Sequence, residues 1–384
     1  MSVVPAAGVI SFARGIPAPE MFPSDELAEA SRRAFQKHSS TALNYGAPGG
    51  FRPLQEWLGN LHGVPAGQVV ITPGSCMLLS LLVRALLPAP GSVLVETPTY
   101  DRMIQLLRRA GAELVSIPRR PEGLHLRGIE EYLAAGNRPA FFYLTPTFHN
   151  PTGTTLPLVD RERLAELAIR YELLIVEDDP YGRLRFDGES PPSISSLLQA
   201  RGAGHLSVFI SSFSKIIAPG LRVGYGTLPE FLVPAVAEVA TETYVSPPLW
   251  PQAEVYEFLE AGFLEPHLVR VRELLRLRHD ALVERLGAGL EGQVSWLTPG
   301  GGYFLWLNLP LEIMAQDLLE ECERAGVIFV PGSAFFVGAG GQNSARFAFS
   351  YPTVESIRSG VDRVATIVKN RLDSSQPPLS RRGS

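Results

Sequence analysis

The sequence predicts an α/β protein: a large domain with a mainly parallel sheet sandwiched by helices, plus a smaller α+β domain. Three observations lead there. Short apolar, β-branched runs alternate with helical stretches between residues 69 and 254. The runs are apolar nearly throughout, as strands buried on both faces are. Tyr100, Asn150, Asp178, Tyr181, Ser212 and Lys215 all fall where such a run ends, and open parallel sheets place their ligand crevice at the carboxyl ends of the strands.

A chain of 384 residues is long enough for two cores. The pattern divides it into an N-terminal segment, 1–40, that goes with the smaller domain, a large domain over 41–254, a C-terminal small domain over 255–372 and a flexible tail over 373–384. A 45% hydrophobic and 19% charged composition is that of a globular, enzyme-sized protein, and a net charge of −5 gives no reason to expect nucleic acid. Arg270, Arg272, Arg276 and Arg278 interleave with Leu268, Val271, Leu275 and Leu282 at helical spacing, so they read as the wet face of a long helix. Two cysteines, Cys76 and Cys322, are too few for a disulfide framework or a metal cluster and fit a reducing compartment. MSVVPAAGVI lacks the basic start and sustained apolar core of a signal peptide. The leucine-rich run from Leu78 to Leu87 is broken by Arg84 and too short for a bilayer, so a cytoplasmic protein with no membrane partner is expected.

In chain order, ISFARGIPAPEMFP (10–23) is an extended, turning segment ahead of a helix that Ser24 could cap. NYGAPGGFRPL (44–54) is a loop carrying an exposed Tyr45. VVITPGS (69–75) reads as a strand, a turn at Pro73 and Gly74, and the start of a buried helix whose N-terminus is an anion site; Ser75 as a simple N-cap is the plainer reading. SVLVETPTY (92–100) is a second strand, followed by a helical stripe of Met103, Leu106, Leu107 and Ala110 closed by Gly111. PAFFYLTPTFHNPTG (139–153) is a strand from Pro139 that breaks into a loop holding Asn150, and LLIVEDDPY (173–181) is a strand ending in Asp178, Asp179 and Tyr181. LSVFISSFSKIIAPGLRVGYG (206–226) places Lys215 at a strand exit among serines, with Arg222 seven residues on. An amine can form a Schiff base, and hydroxyls with a guanidinium can hold a phosphate; pyridoxal 5'-phosphate (PLP) carries both complementary groups. A polar loop with a solvated lysine is the competing reading of this stretch alone. Beyond residue 255 a long amphipathic helix precedes the short strands GGYFLWLNLP, VIFVPGSAFF and ARFAFSYP, with neither a nucleotide phosphate loop nor a dinucleotide fingerprint.

Together these stretches, in this order over residues 9–351, resemble the fold type I PLP-dependent enzymes, the class I/II aminotransferases of the aspartate aminotransferase superfamily. Within them the chain is most similar to those acting on 2-aminoadipate, kynurenine and branched or aromatic amino acids. The resemblance implies an aminotransferase moving an amino group between an L-amino acid and a 2-oxo acid, with 2-oxoglutarate and glutamate as one pair, through a Lys215 aldimine and a pyridoxamine phosphate form. It implies catalytic roles for Lys215, for Asp178 on the pyridine nitrogen, and for Tyr181, which with Asn150 meets the phenolic oxygen. Tyr100 then stacks on the ring, and Ser75, the N–H of Cys76, Ser212 and Arg222 cradle the phosphate, with Ser214 beside them. Gly15, Asn150 and Arg346 meet the substrate, Arg346 at its α-carboxylate. Tyr45 reaches the phosphate of a neighbouring subunit, which implies a homodimer with shared sites. Asp179 is a structural neighbour with no part in the chemistry.

The chain departs from the pattern at three places. Cys76 and Met77 stand where many relatives have two glutamines, and Arg14 stands where a small residue is common. The chain also begins only a few residues ahead of ISFARG, where relatives often carry a longer segment. Arg14 either takes a substrate side-chain carboxylate or faces solvent. A PLP-dependent lyase is the alternative on the same fold. A PLP-binding regulator domain is the other alternative, disfavoured by the lack of room for a helix-turn-helix ahead of the fold.

Overall fold

The computed structural model describes residues 8–87 and 91–375, so the expectations for residues 1–7 and for the tail beyond 375 lie outside the described residues. The chain opens on a short strand, β1 (Ile10–Ser11), and two helices, α1 (Ser24–Ala42) and α2 (Arg52–His62). Strand and helix then alternate: β2 (Val69–Thr72), α3 (Ser75–Leu86), β3 (Ser92–Thr97), α4 (Asp101–Arg109), β4 (Glu113–Arg120), β5 (Gly123–Leu124) and α5 (Leu126–Ala134). The alternation continues with β6 (Phe142–Leu144), α6 (Leu158–Tyr171), β7 (Ile175–Asp178), α7 (Ile194–Ala200), β8 (Ser207–Ser212) and β9 (Gly224–Thr227). Three helices follow, α8 (Val233–Tyr244), α9 (Trp250–Glu260) and α10 (Leu264–Leu290). The chain finishes with β10 (Ser295–Trp296), β11 (Phe304–Asn308), α11 (Ala315–Arg324), β12 (Val327–Ile328), β13 (Val330–Pro331), β14 (Ser344–Ala348) and α12 (Val354–Ser375).

Eight strands form one sheet in the order β2-β9-β8-β7-β6-β3-β4-β5. The central run from β8 through β7, β6 and β3 to β4 is parallel, and antiparallel pairs occur only where β9 meets β2 and β8 and where β4 meets β5. The pleat explains why the strands read as continuous apolar runs. Val93, Val95, Tyr143, Val176, Val208 and Ile210 pack with Leu78 and Leu82 of α3, Met103 of α4 and Val236 of α8. On the other face, Leu94, Phe142, Leu144 and Ile175 pack with Ile129 of α5, Leu164 of α6 and Leu198 of α7.

A second, antiparallel sheet runs β10-β11-β14-β13, and β1 pairs in parallel with β12. The start of the chain is laced to this C-terminal part: Phe12 N donates to Ile328 O at 2.7 Å, and Phe12 O accepts from Ala348 N at 2.7 Å. Among the described residues no helix is long and apolar enough to cross a membrane.

The structure corrects several local expectations. Ser24 and Ser75 are the first helical residues, and the caps are Pro23 and Gly74. The strand expected from Pro139 begins at Phe142, and Ile104 of α4 is buried while Ala110, just past that helix, is exposed. Arg278 is not on the wet face of α10. It is buried, donating to Ser350 O and paired with Glu20, because the turn of the helix points it at a carbonyl two residues past β14.

Candidate active site

β8 ends at Ser212, and the chain then doubles back: Phe213 N donates to Val223 O at 3.0 Å and Ile217 N to Phe213 O at 2.8 Å. This turn carries Lys215, whose Nζ donates to Gly15 O at 2.7 Å. The lysine's backbone is held from the C-terminal part, since Tyr303 OH donates to Lys215 O at 2.6 Å and His267 Nε2 lies 2.9 Å from Ile216 O. Burial lowers the Lys215 amine to a pKa of about 8, and the cations Arg346 and Arg222 push the same way.

Asp178 closes β7 and is 5% exposed. Its Oδ2 accepts from Tyr143 OH at 2.8 Å, while its Oδ1 is buried with no partner among the described residues. Burial raises its pKa to about 7; the Tyr143 bond and the Lys215 charge oppose the rise and Asp179 adds to it. Asp179 is engaged elsewhere, accepting from Gly182 N at 2.7 Å across the turn that follows the strand. Tyr181, in that turn, is buried edge-on against Phe304 at 5.6 Å, and burial pushes its phenol well above the usual range.

Arg346 comes from β14, in register with Trp306 and Val330. Its guanidinium lies 4.4 Å from the Phe304 ring centroid and 4.9 Å from that of Phe335. Nη1 donates to Asn150 Oδ1 at 2.8 Å and Nη2 to Ala13 O at 2.8 Å, while Nε is buried without a partner among the described residues. Burial lowers it to about 10, which leaves it cationic at neutral pH. Gly15 is tight against Phe304, for a Cβ there would come within 2.4 Å of the ring.

The opposite end of the site is a cradle. Gly74, at φ 90°, leads into α3, whose first N–H groups have no helical partner. Arg222 adopts a left-handed φ of 53°, a strained setting for a residue with a Cβ, and sends its guanidinium back to Pro73 O at 3.1 Å and Ser214 Oγ at 3.3 Å. A Cβ on Gly74 would lie 2.2 Å from Arg222 Nη2, and one on Gly224 would lie 2.2 Å from Ser75 N. Ser212 Oγ accepts from Ser214 N at 3.2 Å, and Tyr100, the residue capping α4, has its hydroxyl 3.6 Å from Cys76 Sγ.

Two predicted residues stand apart. Tyr45 is 84% exposed on its loop, and Arg14 neither meets a carboxylate among the described residues nor points freely to water, its guanidinium lying 4.7 Å from the Tyr351 ring centroid. The sequence reading missed Tyr143, Tyr303, His267 and the Phe304 and Phe335 rings near Arg346. Each acts from a different element than the group it holds, so only the three-dimensional register reveals it.

The donor set fits PLP. An unpartnered buried carboxylate oxygen suits a protonated ring nitrogen, an amine with a lowered pKa suits an aldehyde, and a helix N-terminus beside Arg222 suits a phosphate. Comparison with known proteins agrees. The family model for class I and II aminotransferases matches residues 7–364. A 2-aminoadipate transaminase of Thermus thermophilus is 36% identical over 95% of this chain and 91% of its own. An aromatic-amino-acid aminotransferase of Thermococcus litoralis is 34% identical over 97% of this chain and 91% of its own. The crystal structure of an alpha-aminoadipate aminotransferase from Thermus thermophilus, complexed with N-(5'-phosphopyridoxyl)-L-leucine, matches with a TM-score of 0.90 at 34% identity, covering 96% of this chain and 94% of that one.

Proposed function

Because the chain belongs to the class I and II aminotransferases, and is a PLP-dependent transaminase of fold type I, we propose a division of labour among its residues and glutamate/2-oxoglutarate as one of its substrate pairs. The observation that carries this reading is that two buried atoms of opposite character, Asp178 Oδ1 and Arg346 Nε, neither with a partner among the described residues, share a site with the readily neutralised amine of Lys215.

When bound, PLP supplies an aldehyde for the amino group and a ring that takes up the electron pair left on the α-carbon. Asp178 Oδ1 would take the pyridine nitrogen and, as an anion, would keep its proton in place. Asn150 and Tyr181 would hold the cofactor's phenolic oxygen, and Tyr100 would flank its ring. Ser75, the N–H of Cys76, Ser212, Ser214 and Arg222 hold the phosphate. Lys215 Nζ takes the α-proton and returns it. With a pKa of about 8, roughly one lysine in ten is neutral at pH 7, against fewer than about one in a thousand at the ordinary value. Arg346, with two aromatic ring centroids 4.4 and 4.9 Å from its guanidinium, presents that guanidinium to the substrate α-carboxylate, with Gly15, packed against Phe304, beside it. The first forty residues act with 255–372 as the smaller domain, a reading supported by the β1–β12 pairing.

Tyr45 reaches the phosphate site of a second copy in a homodimer. Its exposure supports this, as do the exposed Leu43 on the same loop and Val245 beside it, where Gly46 N donates to Ser246 Oγ at 3.1 Å. A cytoplasmic setting is part of the same reading, supported by the unpaired Cys76 and Cys322.

The acidic substrate pair rests on Arg14. It lies between Ala13 and Gly15, whose carbonyls hold Arg346 and Lys215, and it has no carboxylate partner among the described residues. Single-turnover half-reactions across acidic, basic, aromatic and branched amino acids, run on wild type and Arg14→Ala, test this. Acidic donors react fastest in wild type, and Arg14→Ala loses about tenfold of that preference, the worth of one charge-assisted contact. An unchanged preference removes Arg14 from the site, and an inert response to every acidic donor overturns the glutamate pair.

A further inference from the structure

Tyr143 sits in the middle of β6, opposite Val176 of the neighbouring parallel strand. Side chains alternate along a strand, so the ring lies on the same face as Val176 and Asp178, among Val93, Val95, Val208 and Ile210. Nothing in that apolar layer asks for a hydroxyl, and a phenylalanine would fill the space as well. A buried phenol without a partner is costly, so the hydroxyl needs a reason to be there. It has one, donating to Asp178 Oδ2 at 2.8 Å, with Thr145 against it as well. The ring is 0% exposed, so water cannot substitute for the phenol.

We infer that Tyr143 is a positioning residue for the cofactor's ring nitrogen: by occupying Asp178 Oδ2 it fixes the carboxylate's rotation and leaves Oδ1 as the one oxygen free to meet that nitrogen. This rests on the reading that Asp178 takes the ring nitrogen. The geometry carries it, because one oxygen is satisfied within the sheet and the other is buried and unpartnered. The bond also favours the ionised form. The titratable or charged groups acting on this carboxylate are Tyr143 from β6, the adjacent Asp179, Tyr181 beyond the turn and Lys215 after β8. Of these, only Tyr143 forms a hydrogen bond with it. Without that donor, burial and Asp179 push the carboxylate toward its neutral form, and a neutral acid cannot hold a proton on the ring nitrogen.

The test is a double-mutant cycle on the PLP-loaded protein with Tyr143→Phe, Asp178→Asn and the pair together. It reads PLP retention by equilibrium dialysis and the bound cofactor's visible absorption against pH, with unfolding of the cofactor-free proteins followed alongside. The expected result is about tenfold weaker PLP retention and a displaced spectral pH transition in Tyr143→Phe, with no further loss when Tyr143→Phe is added to Asp178→Asn. Unchanged retention and spectrum in Tyr143→Phe beside an impaired Asp178→Asn overturns the role of Tyr143 alone. So does a loss of equal size in both backgrounds, or a lowered unfolding temperature with unchanged retention. Wild-type retention and spectrum in Asp178→Asn overturns the assignment of Asp178 itself, and this proposal with it.

Discussion

Glu177 and Asp178 are adjacent, both buried, and both raised by burial to pKa values of about 7, yet their surroundings give them different work. Strand alternation sends them to opposite faces. Glu177 accepts from Ser195 N at 2.8 Å and Ile194 N at 3.2 Å and so ties β7 to the start of α7, whereas Asp178 keeps one oxygen unpartnered. A carboxylate whose folded pKa lies above its unfolded value holds a proton that the unfolded chain has released, so its contribution is full at low pH and is lost as pH rises from about 4 through 7. The cofactor-free protein is therefore expected to lose stability over that window, and Asp178→Asn to remove one group's share. Urea unfolding at pH 5 and pH 8 should show the gap between them narrowed by about 2–3 kcal/mol in the variant, and an unchanged gap rejects the ionisation assigned to Asp178. The resemblance gives Asp178 and Asp179 different roles, and their hydrogen bonds differ too: Asp179 accepts from Gly182 N of its own turn. Tyr143 escaped because a tyrosine inside an apolar run reads as packing until the strand beside it, and the register between them, are known.

Legibility among the elements follows the same logic. β3, β7 and β8 are apolar runs buried on both faces, and the sequence displays them directly. β4 lies near the sheet's edge with a mixture of buried and exposed positions, so neither an apolar run nor a clean alternation marks it. The cradle at the start of α3 was legible as a turn and a helix start, but its closeness to β9 was not. Gly224 lies opposite Thr72 on one side and Ser212 on the other, and a Cβ there would meet Ser75 N at 2.2 Å and Gly74 C at 2.5 Å. These are backbone atoms and cannot swing aside. Gly224→Ala is accordingly expected to displace the first N–H groups of α3 and weaken PLP retention by at least about tenfold, one charge-assisted contact's worth, in equilibrium dialysis. Gly220→Ala, in the same segment but with nothing within 4 Å of the added carbon, serves as the control and should bind PLP as wild type does. Equal retention in the two variants rules out the steric argument.

For the whole molecule, Tyr45 stands apart from the other residues of the candidate site. Lys215 donates to Gly15 O, Arg346 to Asn150 Oδ1, Tyr143 to Asp178 Oδ2 and Arg222 to Ser214 Oγ, all within the chain, while Tyr45 is 84% exposed beside Leu43 and Val245, themselves 65% and 60% exposed. Adjacent exposed apolar side chains are costly to leave in water, and a two-fold axis would bury them while carrying each Tyr45 loop to the other copy. If each site takes Lys215 from one copy and Tyr45 from the other, Tyr45→Ala and Lys215→Ala damage different halves of the same site. Either homodimer then has two impaired sites. A hybrid has one site with both lesions and one with none, so with free exchange half the dimers are hybrids and about a quarter of all sites are intact. Mixing the two inactive variants, with PLP sufficient to fill every intact site, should recover up to about a quarter of the wild-type rate, rising as subunits exchange. Native mass spectrometry on the same mixture reports that exchange independently, and abundant hybrids with no recovered transamination would show that Tyr45 serves its own chain or none.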